Sequence, residues 1–145
     1  MNNKPQSKIL SPKQIVQKML DNDSFSQWLG IEIVTVKKDY CKLKMKIREE
    51  MLNGMKKAQG GITFSFADSA FAFASNTRGR KSVSIEASIN HIEALDAGDV
   101  ITAEAEMESV KNKLGFYIVR VRKEEKLVAL FKGVVYRTGA EWIDE

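Results

Sequence analysis

The chain has 145 residues, 43% of them hydrophobic and 29% charged, enough for one domain with a real core and unlike a disordered or fibrous chain. A single cysteine, Cys41, excludes an internal disulfide, and a single histidine, His91, excludes a zinc cluster. The formal net charge of +4 favours anionic partners such as nucleotides and phosphates without choosing among them.

Met1 to Lys8 lacks the apolar stretch of a secretory signal, and no later segment reaches the length of a bilayer span, so a cytosolic compartment is expected. Residues 1–24 read as a tail and a short amphipathic helix, and 25–145 as one domain. Ser11, Pro12 and Gln14 form a capping box with proline at the first helical position, and Ile15, Val16, Met19 and Leu20 follow at helical spacing. Phe25, Trp28 and Leu29 lead to Gly30. Two strands are expected over Ile31 to Val36 and Tyr40 to Ile47; in the second, Cys41, Leu43, Met45 and Ile47 alternate with Lys42, Lys44 and Lys46.

From Gly60 to Arg78 runs GGITFSFADSAFAFASNTR, a helix apolar on nearly every side until Asn76 and Gly79 stop it. Four further strands are expected over Ser82 to His91, Val100 to Val110, Gly115 to Arg122 and Lys126 to Arg137, joined by short turns. In the first of these, Val83, Ile85, Ala87, Ile89 and His91 share one face, which reads His91 as a packed core residue. Short turns imply antiparallel neighbours, so the expected fold is α+β: one curved antiparallel sheet around one long helix. A single sheet covers only part of a helix, and the uncovered flank is expected to meet a second subunit.

One carboxylate, Asp68, stands in the middle of that apolar helix. A buried charge costs several kcal/mol unless it is paired or hydrogen-bonded, so Asp68 is the first candidate for chemistry, against the plainer reading of a structural acid. Gly60 and Gly61 open the helix, where bare backbone N–H groups and the helix dipole favour negative charge. Asp68 lies about eight residues further on, roughly 12 Å along the axis. One helix cannot easily bring both groups to one reacting atom, whereas two antiparallel helices can.

Asn53-Gly54, Gln59-Gly60-Gly61, Ala67-Asp68-Ser69-Ala70-Phe71-Ala72 and Asn76 together resemble the signature of PaaI-type hotdog thioesterases. The resemblance covers nearly everything from about Leu29 to Arg137. It implies a hotdog fold, dimers that join their sheets and pair into tetramers, and hydrolysis of acyl-CoA thioesters, frequently aryl- or phenylacetyl-CoA. It needs no cofactor, coenzyme A being part of the substrate.

Carried onto this chain, the resemblance makes Asp68 the base or nucleophile and Gly60 the oxyanion donor, with Gly61 allowing close approach. Asn53 falls on the carbonyl side of the substrate, and Ser84 where a side chain helps hold the water. Gln59 departs from the family's usual histidine; it keeps an N–H donor but cannot exchange a proton near neutral pH. Arg78, Arg80, Lys81, Lys111 and Lys113 are candidates for the phosphates of coenzyme A. Each has a plainer reading: a turn for the glycines, a turn cap for Asn53, a strand hydroxyl for Ser84, solvated turns for the cations.

Other classes fit less well. No G-x-S-x-G elbow is present for a serine hydrolase. A nucleic-acid binder is suggested only by the basic charge, and a hydratase would want a histidine beside its acid. A silent acyl-CoA-binding hotdog protein, encouraged by Gln59, is the main alternative.

Overall fold

The computed structural model describes residues 6–144. Residues 1–5, where the expected tail begins and on which the reading of a signal-free leader mostly rests, and Glu145 lie outside it. The first helix, α1 (Pro12–Asp21), starts as its residues dictate: Ser11 Oγ accepts from the Gln14 N–H at 3.2 Å while the Ser11 N–H donates to Gln14 Oε1 at 2.9 Å. It buries Ile15 and Val16 completely. A second helix, α2 (Ser24–Leu29), was not expected from periodicity, since six residues are too few to show one. Local chemistry defines it instead. Asp23 caps it by accepting from the Ser26 N–H, and Gly30, at φ 76°, ends it in the left-handed conformation that glycine adopts without strain.

Six strands follow the expected order: β1 (Glu32–Lys37), β2 (Tyr40–Lys46), β3 (Arg80–His91), β4 (Val100–Lys111), β5 (Leu114–Lys123) and β6 (Lys126–Glu141), with α3 (Gly60–Asn76) between β2 and β3. They form one antiparallel sheet in the order β1-β2-β4-β5-β6-β3, so β1 and β3 are its edges. In β2 the alternation holds, with Cys41, Leu43 and Met45 buried against the helix side and Lys44 and Lys46 exposed.

β3 departs from its expected pattern. A bulge between Ser84 and Glu86 inserts one residue against β6, so Ser84 pairs with Val135 whereas Ala87, Ile89 and His91 pair with Gly133, Phe131 and Ala129. Residues opposite each other share a face, which puts Ser84 with Ala87 and Ile89 and separates Val83 from them. Val83 and Ile85 are 53% and 58% exposed on this edge strand, so the single apolar face expected over Val83 to His91 is split.

The sheet wraps α3, whose Phe66, Ala67, Ala70, Phe71, Phe73 and Ala74 are all essentially inaccessible. Phe71 packs its ring against Tyr117 and Phe131, with centroids 5.9 and 5.6 Å away, and rests on Gly133. Burying each such ring contributes about 1.5–3 kcal/mol. The residues left partly or wholly uncovered include Gly61, Phe64, Ser65, Asp68 and Ala72, spaced by three and four residues and therefore on one side.

The far end of the helix is tied down twice. Arg78 clasps Asp39 in the β1–β2 turn through Nε and Nη2, at 2.7 and 2.9 Å. Asp39, held at φ 62°, also donates its N–H to Thr77 Oγ1 at 2.7 Å and accepts from the Tyr117 hydroxyl at 3.3 Å. Burial, reinforced by the Asp39 charge, pushes the Tyr117 phenol above its ordinary range. Asn76, only 2% exposed, accepts from the Ser82 N–H and from Trp142 Nε1, both at 2.9 Å.

A Cβ at Gly133 would lie 2.6 to 2.8 Å from three atoms of the Phe71 ring, closer than carbon atoms tolerate. Gly133→Ala is therefore expected to cost about 1–3 kcal/mol through overpacking. A lower denaturant midpoint at unchanged slope is the result that checks it.

Candidate active site

The loop before α3 is built around Asn53. Its Oδ1 accepts from the N–H groups of Met55 at 2.9 Å and Lys57 at 3.2 Å, and its own N–H donates to Lys57 O at 2.7 Å. The acceptor end of this side chain therefore closes the turn that its plainer reading expected. Its Nδ2 donates to no acceptor among the described residues, so the donor end is free. Gln59 follows as the residue before the helix. Its N–H donates to Met51 O at 2.9 Å, its side chain makes no cap bond, and it is exposed.

A cavity of about 400 Å³ opens at the helix start, lined by Asn53, Lys57, Gly60, Thr63 and His91, with Met55, Ile92 and Leu95 among its apolar walls. Gln59 is not part of that lining. His91 corrects the expectation of a core residue: it ends β3 exposed to solvent, and its Nε2 lies 3.1 Å from where a Cβ of Gly60 would stand. The cause is positional. On the inward face of β3, Ala87 and Ile89 are half-buried, whereas His91 lies beside the start of α3 and faces the open cavity there. Sequence reasoning missed it because it lies outside every motif and because alternation gives a residue's face but not where the helix covering that face begins.

Asp68 is not in this cavity. It sits two turns along α3 on the uncovered side, half-buried, and makes no hydrogen bond or ion pair with any described side chain. Burial without a compensating partner pushes its carboxyl above the ordinary carboxylate range. Ser84, exposed on the helix side of edge strand β3, likewise makes no side-chain hydrogen bond to the described residues. Gly61, also exposed, heads the same side of α3 as Asp68. One subunit thus brings Gly60, Asn53 and His91 together at one cavity, and neither Asp68 nor Ser84 lines it.

The cations divide further. Arg78 is held by Asp39 and half-buried, so it is not free for a phosphate and the expectation for it is corrected. Lys81 lies 4.9 Å over the Trp142 ring and Lys113 6.0 Å over the Tyr136 ring. Tyr136 pairs with Leu114 on one side and Val83 on the other, which gathers Arg80, Lys81, Lys111 and Lys113 at one end of the sheet. His91 is ten residues further along β3, roughly 33 Å at strand rise. Within one subunit these cations and the Gly60 cavity are therefore far apart. Among the described residues no cluster of three or more metal-ligating side chains occurs, and no helix is long and apolar enough to cross a membrane.

An antiparallel sheet curled around one helix, with a glycine-opened helix start at a cavity and an unpartnered carboxylate on the helix flank, is the hotdog thioesterase arrangement. The family model described as Thioesterase superfamily matches residues 58–130. The acyl-coenzyme A thioesterase PaaI of Escherichia coli is 35% identical over 122 residues, covering 83% of this chain and 87% of that protein. Its structure superposes with a TM-score of 0.87 at 33% identity, over 90% of this chain and 95% of that one. A mutant of the phenylacetic acid degradation protein PaaI from Thermus thermophilus matches with a TM-score of 0.78 at 34% identity, over 80% of this chain and 100% of that one. An Archaeoglobus fulgidus protein bearing a provisional esterase name is 37% identical over 134 residues, 89% of this chain and 87% of that one. The chain belongs to the thioesterase superfamily, and within it to the PaaI type: it is an enzyme that hydrolyses thioesters.

Because Arg78 serves the fold, Arg78→Ala is expected to cost about 1.5–3 kcal/mol, the scale of a hydrogen bond to a charged group, less what solvent screening removes. The KM for a coenzyme A thioester should stay within about threefold. A large KM rise at unchanged stability would return Arg78 to the binding site.

Proposed function

We propose that this protein hydrolyses an acyl-CoA thioester to the free acid and coenzyme A, in a site shared by two subunits. Asp68 of one subunit acts as base or nucleophile, and the Gly60 N–H of the other stabilises the oxyanion. The observation that carries this reading is Asp68 itself: a desolvated carboxylate with no partner among the described side chains, on the one side of α3 that its own sheet leaves open. The activity named for the Escherichia coli relative supports the choice of acyl-CoA, and the phenylacetic acid degradation named for the Thermus thermophilus relative favours an arylacetyl group.

The second subunit follows from the edge of the sheet. β3 is a long edge strand bearing exposed Val83 and Ile85, the kind of edge that pairs with another chain. Antiparallel pairing of two copies, centred near the Ile85 bulge, sets the partner's Arg80 and Lys81 opposite the His91 end of this subunit's β3. The roughly 33 Å between cations and cavity is then closed by symmetry, and the two α3 helices run antiparallel. Such dimers pair into the homotetramer that the resemblance implies.

The electron count is simple. Asp68 takes a proton as a water oxygen bonds to the thioester carbon, the carbonyl electrons move to oxygen under the Gly60 N–H, and the C–S bond then breaks. The departing thiolate is protonated from Asp68, which is restored. If Asp68 attacks directly, an anhydride forms as the thiolate leaves, and water attacking the Asp68 carboxyl carbon then places enzyme oxygen in the product.

Thiol release from a panel of acyl-CoAs tests the reading. Asp68→Asn is expected to lower kcat by about 10²–10⁴-fold, and equal rates for the two proteins would remove Asp68 from the reaction. Mixing Asp68→Asn subunits with Gly60→Val subunits should restore activity, because each mixed dimer contains one site with both native groups; no recovery from exchanged subunits would exclude the shared site.

The raised carboxyl also has a stability consequence. A folded-state pKa above the unfolded value favours the folded state at low pH, and that contribution is lost as pH rises through the folded value. Asp68→Asn should therefore melt higher than wild type at pH 7, with the difference closing in acid below the ordinary carboxylate range. Equal melting temperatures at both pH values would contradict the desolvation.

A further inference from the structure

We propose that His91 is a second oxygen-binding donor of the thioesterase site, placing its imidazole beside the Gly60 N–H to receive the thioester carbonyl. The inference rests on the hydrolase reading and names a residue that no motif supplied. Its basis is the cavity at the start of α3. The His91 Nε2 edge packs so closely on Gly60 that a Cβ there would come within 3.1 Å of it. Gly60 therefore does more than bare an N–H: its missing side chain is the space that admits the imidazole.

Three side chains lining this cavity can gain or lose a proton: Lys57, Glu93 and His91. Lys57 is paired with Asp96 at 2.5 Å and Glu93 with Lys126 at 3.1 Å. His91 makes no ion pair or side-chain hydrogen bond to any described residue, so it alone of the three has its polar atoms uncommitted. On β6 its neighbour across the ladder is Ala129, which offers it no partner. An imidazole held this way, with open space before it and a helix start beside it, is placed to donate Nε2–H. Both the neutral tautomer protonated at Nε2 and the imidazolium carry that donor.

The role also accounts for Gln59. That side chain is exposed and does not line the cavity. The imidazole is supplied instead from the end of β3. Oxygen-binding donors act most strongly where charge develops in the transition state, so the expected signature is in kcat rather than KM.

Two measurements on tag-free protein test it. In the first, thiol release from the acyl-CoA panel is compared for wild type, His91→Phe, His91→Gln and Asp68→Asn. His91→Phe should lose about 10²–10³-fold in kcat with KM little changed, and His91→Gln, which retains an N–H donor, should recover part of the loss. A His91→Phe enzyme at the wild-type rate overturns the proposal, while an inactive Asp68→Asn alongside it leaves the hydrolase reading standing. A wild type that releases no thiol removes both.

The second measurement needs no substitution at His91. His91 is the only histidine, so its ring carbon and nitrogen signals are unambiguous in a nuclear magnetic resonance spectrum. Saturation with a ketone analogue of acyl-CoA, in which a methylene separates carbonyl and sulfur, should shift the Nε2 signal in wild type and in Asp68→Asn alike. An unmoved Nε2 signal in a saturated protein overturns the proposal.

Discussion

The structure depends on the enclosure of α3. A helix with Phe66, Phe71 and Phe73 distributed around it, alternating with alanines, has no stable place in water, and the sheet exists in its curved form because it has this rod to cover. Phe71 meeting Gly133 shows how close the fit is: the strand gives up a side chain so that a ring can lie on its backbone. But six strands do not close around a helix. Along Gly61, Ser65, Asp68 and Ala72 the rod remains open, and the most polar of these residues is the carboxylate that finds no partner among the described side chains. Incomplete enclosure and desolvation meet at this point, since the gap that leaves Asp68 short of hydrogen-bond partners still buries enough of it to raise its carboxyl.

Much of this was legible from residues alone, for identifiable reasons. The capping box at Ser11 and Gln14, the alternation through Cys41 and Met45, and the apolar run after Gly60 are local signals, and local signals survive into the fold unchanged. α2 was not legible because one and a half turns carry no period. The face of β3 was misread because a bulge is a relation between two strands, and nothing within Ser82 to His91 announces that Val134 and Val135 will oppose them out of step.

The candidate site divides along the same line. Asp68 and Gly60 stood out because each breaks a rule of its own segment: a charge in an apolar helix, a glycine pair at a helix start. His91 breaks no rule where it stands. It becomes notable only when β3 is folded back beside the start of α3, two elements separated in the chain by the whole helix. Arg78 shows the converse, a cation whose sequence context suggests phosphate but whose place in the fold opposite Asp39 makes it a clasp.

That clasp has a consequence for what natural variation can do to this enzyme. With Asn76, Thr77 and Arg78 fastened to the β1–β2 turn and to β3, the rotational setting of α3 is referenced from its far end. Inserting or deleting one residue anywhere between Ser69 and Asn76 would turn Asp68 by about 100°, swinging the charge off the open flank and toward the aromatic core. The span from the carboxylate to the clasp is thus frozen in length. The Asn53 to Gln59 loop, upstream of both, is the place where insertions can reshape the cavity at the helix start and leave Asp68 in register.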